Sequence, residues 1–443
     1  MNLKVNINGF SHMVAKRFMG YFWLRRKWLS KSQWLGEKEL EQIQLDLLKK
    51  LIAHSYDTVP YYRRIMSELN ILPENIKSLR DIERFPVISK KDIIDQSDGF
   101  ISDKYSKYLL RTAYTGGTTG TPLKLKRNIA AIENEHAFVR RQWDWAGIGL
   151  NDKTAYLSGR LITKPDQENG QLFAYDYFMK ELILSTYHLS YDTAKSYIDT
   201  MKDFDIKAII GYPSAIYLLA QACIESGTKM NLRAVLTSSE TLTDSMRTVI
   251  SQAFDCKVFD FYGGAERVCY IFTCDKGNYH IIPEYGFTEL VPVENGGKDH
   301  HKIIATGFWN YAMPLIRYDT GDIVIGPNKS CSCGRAFPTV KALCGREADT
   351  IRTPLGREYG AAILTHLLYG ADNILESQII QDSHDHVVIE YVPGKKFTEK
   401  DRKVFMNLIT KHLSRELKID LKKVSKVQRT QSGKIRPVIP LTT

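Results

Sequence analysis

The residues best suited to chemistry begin with Tyr114-Thr115-Gly116-Gly117-Thr118-Thr119-Gly120-Thr121-Pro122, followed by Lys124-Leu-Lys-Arg127. Three glycines and four threonines fall within these nine positions. Glycine lets backbone approach a ligand closely, and hydroxyls and free amide N–H groups are donors for phosphate oxygens. A stretch rich in donors and free of acid suits an anionic ligand. The same composition also suits a plain surface turn. Thr121 stands where the Walker pattern needs lysine, so this is not a standard P-loop.

Other reactive side chains are spread along the chain. Cys274 and His280 precede Cys331 and Cys333 by about fifty residues, a spacing open to two readings: a structural Cys₃His zinc site joining two loops, or unpaired cytosolic thiols. Cys223, Cys256 and Cys269 read as core or incidental, and Cys344 as an outside candidate ligand. His136 reads as an ordinary, partly buried histidine. Lys434, in Ser432-Gly-Lys434-Ile-Arg436, would by itself be a surface residue.

The elements that must position these groups alternate in type. Residues 37–55 carry a helical stripe of Leu40, Ile43, Leu47 and Leu51 that Val59-Pro60 ends. The 79–97 stretch reads as a helix that Pro86 interrupts, and 128–145 as a second long helix. Short apolar strands are expected at 154–157, 207–210, 232–236 and 257–261, separated by helices opening near Ala215 and Thr243-Asp244. Such alternation predicts α/β architecture with a largely parallel sheet. Ligands collect beyond the C-terminal strand ends of such sheets, where Glu240, Asp260 and Tyr262 fall. Shorter strands follow, with a hairpin over 287–293 and 301–305 around Asn295-Gly-Gly297. A boundary near Gly345-Arg346 divides the chain into 1–345, with a basic aromatic helical segment at 1–36, and 346–443. In the last part strands are expected at 374–380, 386–392 and 424–428, with a helix at 398–416.

Three further stretches are Asp260-Phe-Tyr-Gly-Gly-Ala-Glu266, Arg317-Tyr-Asp-Thr-Gly-Asp322 and the Ser432–Arg436 tail. With the Gly/Thr loop, they resemble the ordered core motifs of the adenylate-forming superfamily of acyl-CoA synthetases, adenylation domains and luciferases. Val59-Pro-Tyr-Tyr-Arg63 and Cys331-Ser-Cys-Gly-Arg335 are similar to the phenylacetate-CoA ligase group and its CapK-like capsule-biosynthesis relatives. The resemblance implies a large N-terminal domain of mixed, largely parallel sheets and a small mobile α+β C-terminal lid. It implies an ATP- and Mg²⁺-dependent ligase that makes an acyl-adenylate and hands the acyl group to coenzyme A, an amine or a sugar. It assigns Thr115 to Thr121 to the departing phosphates, Glu266 to Mg²⁺, and Asp322 to the ribose hydroxyls. Glu240, Asp260, Phe261, Tyr262 and Gly263 would enclose adenine, with Tyr262 stacking. Arg346 would contact the nucleotide beside the hinge at Asp349, and Lys434 would be the catalytic lysine. Trp143, Tyr156 and Arg160 are positioned to line the acid pocket. Two departures stand out: Ala265 replaces a usual Ser or Thr, and Asp319 a usual basic residue. A catalytically silent nucleotide-binding scaffold of a glycan-assembly complex is the rival reading.

The 443 residues are 43% apolar and 25% charged, the composition of an ordinary globular protein. The formal charge of +11 comes without a nucleic-acid signature, so nucleic acid is not an expected partner; a small carboxylic acid and ATP are the partners that the resemblance implies. Tyr21-Phe-Trp-Leu-Arg-Arg-Lys-Trp-Leu29 mixes aromatic and basic residues either as an interfacial helix does or as a helix packed on the body does. Seven cysteines, no apolar run near 18 residues and no signal-peptide layout predict a cytoplasmic protein, with peripheral membrane or glycan-assembly association through that first segment.

Overall fold

Short apolar runs punctuated by glycine and proline become strands, and the polar-apolar stretches between them become helices. A computed structural model describes the chain except residues 1–5, 8, 12, 15–19, 116–122, 161, 163–171, 294–298, 329–330, 347–349, 356–357, 361–367, 369–372, 414–415, 431–433 and 442–443. It forms two units. The first holds Leu3–Gly149 with Phe261–Ala342, the second Leu150–Asp260 with Leu343–Thr443.

In the second unit, strands Ala234–Ser238, Ala208–Gly211, Thr154–Leu157 and Glu181–Leu184 lie side by side in parallel, and Phe173–Asp176 closes the edge antiparallel. The Ala208–Gly211 strand pairs Ala208 with Ala234 and Leu157 with Gly211. Helices Tyr191–Asp203, Pro213–Ser226 and Asp244–Phe254 supply its crossovers. A continuous apolar cluster joins Leu157, Ile209, Ile216 and Val235 to Ile379, Ile389 and Phe405. Burying each such side chain stabilises by about 1.5–3 kcal/mol.

The end of this unit is a four-stranded sheet ordered Lys418–Lys423, His386–Pro393, Ile374–Ser383 and Val438–Ile439. Helix Glu399–His412 begins at Thr398, which exchanges hydrogen bonds with Asp401. The strand expected at 424–428 lies instead at Lys418–Lys423, in register from Lys418 opposite His386 to Lys423 opposite Tyr391. The alternation of Ile419 and Leu421 with charged neighbours fits a strand with one covered face, whereas Val424 and Val427 sit three apart.

In the first unit, helix Glu37–Thr58 buries Leu40, Leu48, Leu51 and Ile52, and Pro60 opens helix Pro60–Glu68. The 79–97 stretch is not one interrupted helix: it is a 3₁₀ turn, Leu79–Arg84, then a short α-helix, Lys90–Asp95, capped by Ser89. Between them Ile88 donates its N–H to Arg317 O at 3.0 Å, drawing the chain out as an extended partner of Tyr318. Strands Gly286–Pro292, His300–Gly307 and Tyr318–Ile325 form an antiparallel sheet. The segment Phe261–Gly263 pairs antiparallel with Tyr270–Thr273. Helix Tyr21–Ser32 packs on the body, burying Phe22 and Leu29 completely. Arg25 stacks on Trp309 at 3.6 Å, and Arg26 pairs with Asp144 at 3.0 Å.

Candidate active site

The parallel strands of the second unit end where side chains with chemistry gather. Gly211 ends its strand, and a Cβ there would stand 2.4 Å from Leu157 O, so only glycine fits. Tyr212, Pro213 and Ser214 then turn into the next helix. From the neighbouring strand end, Glu240 accepts the N–H of Ser214 at 3.1 Å and of Ile435 at 3.0 Å. Burial raises the Glu240 pKa, against the pull of Ser214. Ser239 before it adopts φ +72°, a left-handed conformation that non-glycine residues rarely hold. The Glu240–Ile435 bond anchors the tail, and Lys434 Nζ lies 5.5 Å from the centre of the Tyr212 ring. Lys434 also closes a small turn with Thr430, whose N–H donates to Lys434 O at 2.9 Å. Asp260 is a core acid here, accepting the Thr237 hydroxyl at 2.5 Å with 2% of its surface exposed. Arg160 stacks on Tyr156 at 4.7 Å and pairs with Glu181 at 2.8 Å.

In the first unit, Asp322 follows Gly321, whose φ of +70° makes the sharp turn that glycine allows. Tyr262 donates its hydroxyl to Asp322 Oδ2 at 2.8 Å. Burial and the Asp322 charge hold that phenol well above its ordinary pKa, so it remains a donor. Glu266 accepts the Tyr318 hydroxyl at 3.3 Å. Arg317, at φ +53°, forks onto Glu289 at 2.8 and 3.1 Å and donates to Phe85 O at 2.7 Å. Phe261 packs edge-on against Tyr270 and Phe272, and a Cβ at Gly263 would meet the Tyr270 ring at 2.3 Å. Thr115 braces the neck of the Gly/Thr loop: its hydroxyl accepts the Leu123 N–H at 3.0 Å, and its own N–H donates to Leu123 O at 3.1 Å. Gly116, Gly117, Thr118, Thr119, Gly120 and Thr121 lie outside the described residues, as do Asp349, Ser432 and Gly433. Arg346 ends the strand Ala342–Arg346. Trp143 is buried beneath Arg140, and His136 stacks on Phe22 of the first helix.

The four cysteine and histidine candidates converge. Their ligand atoms all lie within 4.8 Å of one another, with Cys274 Sγ 3.6 Å from Cys331 Sγ and Cys333 Sγ 3.5 Å from His280 Nε2. Tetrahedral zinc with ordinary bond lengths separates two sulfurs by about 3.8 Å and sulfur from nitrogen by about 3.6 Å, so the donor set fits. A tight turn with Gly277 at φ +81° delivers Cys274, and N–H groups of Lys276 and Asn278 donate to Cys274 and Cys331. Burial pushes the Cys274 thiol up to about 11 and His280 down to about 4. At Cys333 burial raises the thiol, but hydrogen bonds from Arg335 outweigh it and leave it lowered. Cys344 is buried and outside this group, its thiol pushed up to about 11.

Sequence reasoning noted Arg127 only as the end of a basic segment and passed over Glu135 and Arg267. Arg127 donates to Ala265 O and Arg267 pairs with Glu135, both beside Glu266. For Arg267 the signal was a basic residue directly after the motif glutamate.

Residues 355–440 match the family model of the CapK C-terminal domain. Protein CapK of Staphylococcus aureus is 25% identical over 98% of this chain and 95% of that protein. A phenylacetate-coenzyme A ligase of Thermus thermophilus is 24% identical over 68% of this chain and 69% of its own. The solved structure of a 2-hydroxyisobutyryl-CoA ligase, in its postadenylation state with 2-HIB-AMP, shares the fold at a TM-score of 0.72. It is 18% identical over 93% of this chain and 91% of that one. These likenesses support the adenylate-forming superfamily and, within it, the CapK-like branch.

Proposed function

We propose that the protein is an ATP-dependent, AMP-forming acid ligase that makes an acyl-adenylate and passes the acyl group to coenzyme A. The observation that carries this reading is the tail: Glu240 grips Ile435 and so sets Lys434 at the C-terminal ends of parallel strands, where α/β sheets bind ligands. The relatives' names supply the reaction class. Joining a carboxylate to the α-phosphate brings two anions together, so fixed cations and N–H donors lower its barrier. Lys434 supplies a mobile point charge, Asp322 accepts from the ribose hydroxyls, and Tyr262 holds that carboxylate in place. Glu240, Asp260, Phe261 and Gly263 shape the adenine end. Thr115 steadies the neck of the loop whose remaining residues, Gly116 to Thr121, take the outer phosphates. Glu266 would hold Mg²⁺, which would supply positive charge against that of the phosphates. By the resemblance, Arg346 would contact the nucleotide and Asp349 would be the hinge between 1–345 and 346–443.

The test is ATP–pyrophosphate exchange against aromatic, short aliphatic, amino and uronic acids, with and without coenzyme A. Acid-dependent exchange, with a thioester formed only when coenzyme A is present, is the expected result. An amide or sugar ester in its place would move the acceptor, and the protein with it, toward surface-polysaccharide assembly. ATP binding without exchange for any acid would leave the silent scaffold reading instead. Ala265, which removes a hydroxyl usual before the motif glutamate, and the basic aromatic N-terminal segment favour that rival.

No helix of the described residues is long and apolar enough to cross a membrane. A cytoplasmic location suits the free thiols, and Tyr21, Trp23 and Leu24, exposed on the docked first helix, would make any membrane contact peripheral. Cys274, His280, Cys331 and Cys333 would hold a structural zinc ion. Purified protein is expected to carry about one zinc per chain, lost together with several degrees of thermal stability in Cys331→Ser or on chelation. Elemental analysis finding no zinc, and no stabilisation on adding it, would remove the metal.

A further inference from the structure

Beside the Gly263-Gly264-Ala265-Glu266 turn lie two buried guanidiniums that the reading above leaves unused. Arg127 ends the strand Lys124–Arg127, which leaves the Gly/Thr loop, and donates through Nη2 to Ala265 O. Arg267 pairs through Nη2 with Glu135 and keeps only 10% of its side-chain surface exposed. The other oxygen of Glu135 accepts the Tyr270 hydroxyl at 2.7 Å. Arg127 Nε, Arg267 Nε and Arg267 Nη1 remain buried without a hydrogen-bond partner among the described residues. A buried ionised donor left unpaired is costly, and native structures keep one for a reason.

The backbone makes the same point independently. Arg267 adopts φ +60°, a strained conformation for a residue with a side chain. Two glycines permit it. A Cβ at Gly307 would stand 2.2 Å from Arg267 O, and one at Gly286 2.2 Å from Val268 O. The strands carrying these glycines press directly on the chain after Glu266 and hold Arg267 where it is.

We propose that Arg127 and Arg267 form a preorganised oxyanion seat beside Glu266 for the outer two phosphates of the nucleotide, and hence for the departing pyrophosphate. The identity of the anion rests on the ligase reading above. Guanidinium N–H groups offer phosphate oxygens charge as well as hydrogen bonds. Three unpaired donor nitrogens on two side chains suit a diphosphate with many oxygens better than a single carboxylate with two. The pair also stands next to the glutamate assigned to the metal that such phosphates carry.

The experiment measures binding of inorganic pyrophosphate and of AMP to the full-length protein, wild type and the variants Arg127→Met and Arg267→Met, by calorimetry. Acid-dependent ATP–pyrophosphate exchange is run in parallel. Either variant is expected to weaken pyrophosphate binding about 10- to 100-fold, with AMP binding unchanged. The KM for pyrophosphate in exchange should rise by the same factor. Arg267→Lys, which keeps the charge and loses the fork, should fall between. If Arg267→Met does not fold, Arg127→Met carries the test. Unchanged pyrophosphate affinity in the folded variants overturns the seat, as does a rise confined to the KM of the acid. Wild-type exchange with unchanged variant affinity would retire the seat and keep the ligase. Arginine-dependent pyrophosphate binding without exchange for any acid would do the reverse.

Discussion

Replacing Lys434 by alanine is expected to slow acyl-adenylate formation by about 10²- to 10³-fold, the usual loss when a preorganised charge donor is removed from a developing anion. The tail itself should stay in place. Its anchor is the Ile435 N–H on Glu240, a backbone contact that the substitution leaves intact, so the unfolding midpoint should not move. Pyrophosphate release under saturating ATP and acid reads the rate. Lys434→Arg, which keeps the charge but spreads it over a planar fork, should recover only part of it. A rate near wild type for the alanine variant would remove Lys434 from the chemistry.

The second large effect is structural. Arg141 and Glu284 form a buried pair at 2.8 Å, with 3% and 1% of their side-chain surfaces exposed. A second contact of 3.3 Å and the Ser32 hydroxyl at 2.7 Å are the carboxylate's other hydrogen bonds among the described residues. Arg141→Ala would leave Glu284 charged, buried and held by one hydroxyl, and should cost about 3–5 kcal/mol of stability. The double change Arg141→Met with Glu284→Leu should return most of it, because two apolar side chains of similar size remove both desolvation penalties. Denaturant unfolding reads both proteins. A loss below about 1 kcal/mol in the single variant would mean that Glu284 takes up a proton or finds water at little cost.

The alternation of helix and strand through the second unit was legible because its signals are local. Lys207-Ala-Ile-Ile210 and the Gly-Tyr-Pro-Ser that follows are apolar run and punctuation in adjacent positions, and the strand Ala208–Gly211 begins one residue from where they place it. The misplaced strand at 424–428 shows the limit. Both candidate stretches hold two apolar residues, and pairing with His386–Pro393 selected the one whose alternation covers a face. At 79–97 the local pattern was helical, but a backbone bond to Arg317 outweighed it.

Residue types and their order along the chain were enough to establish an α/β protein with donor-rich turns after its strands, a lysine in a late tail and cysteines spaced for a metal. Which of these side chains meet was settled only in three dimensions. Arg127 reaches Ala265 across 138 residues, Tyr262 reaches Asp322 across 60, and Cys274 comes beside Cys331 across 57. Periodicity reports the face a residue turns to its neighbours in sequence. Partners so distant, donors buried without one, and a left-handed arginine held by two distant glycines leave no trace in it.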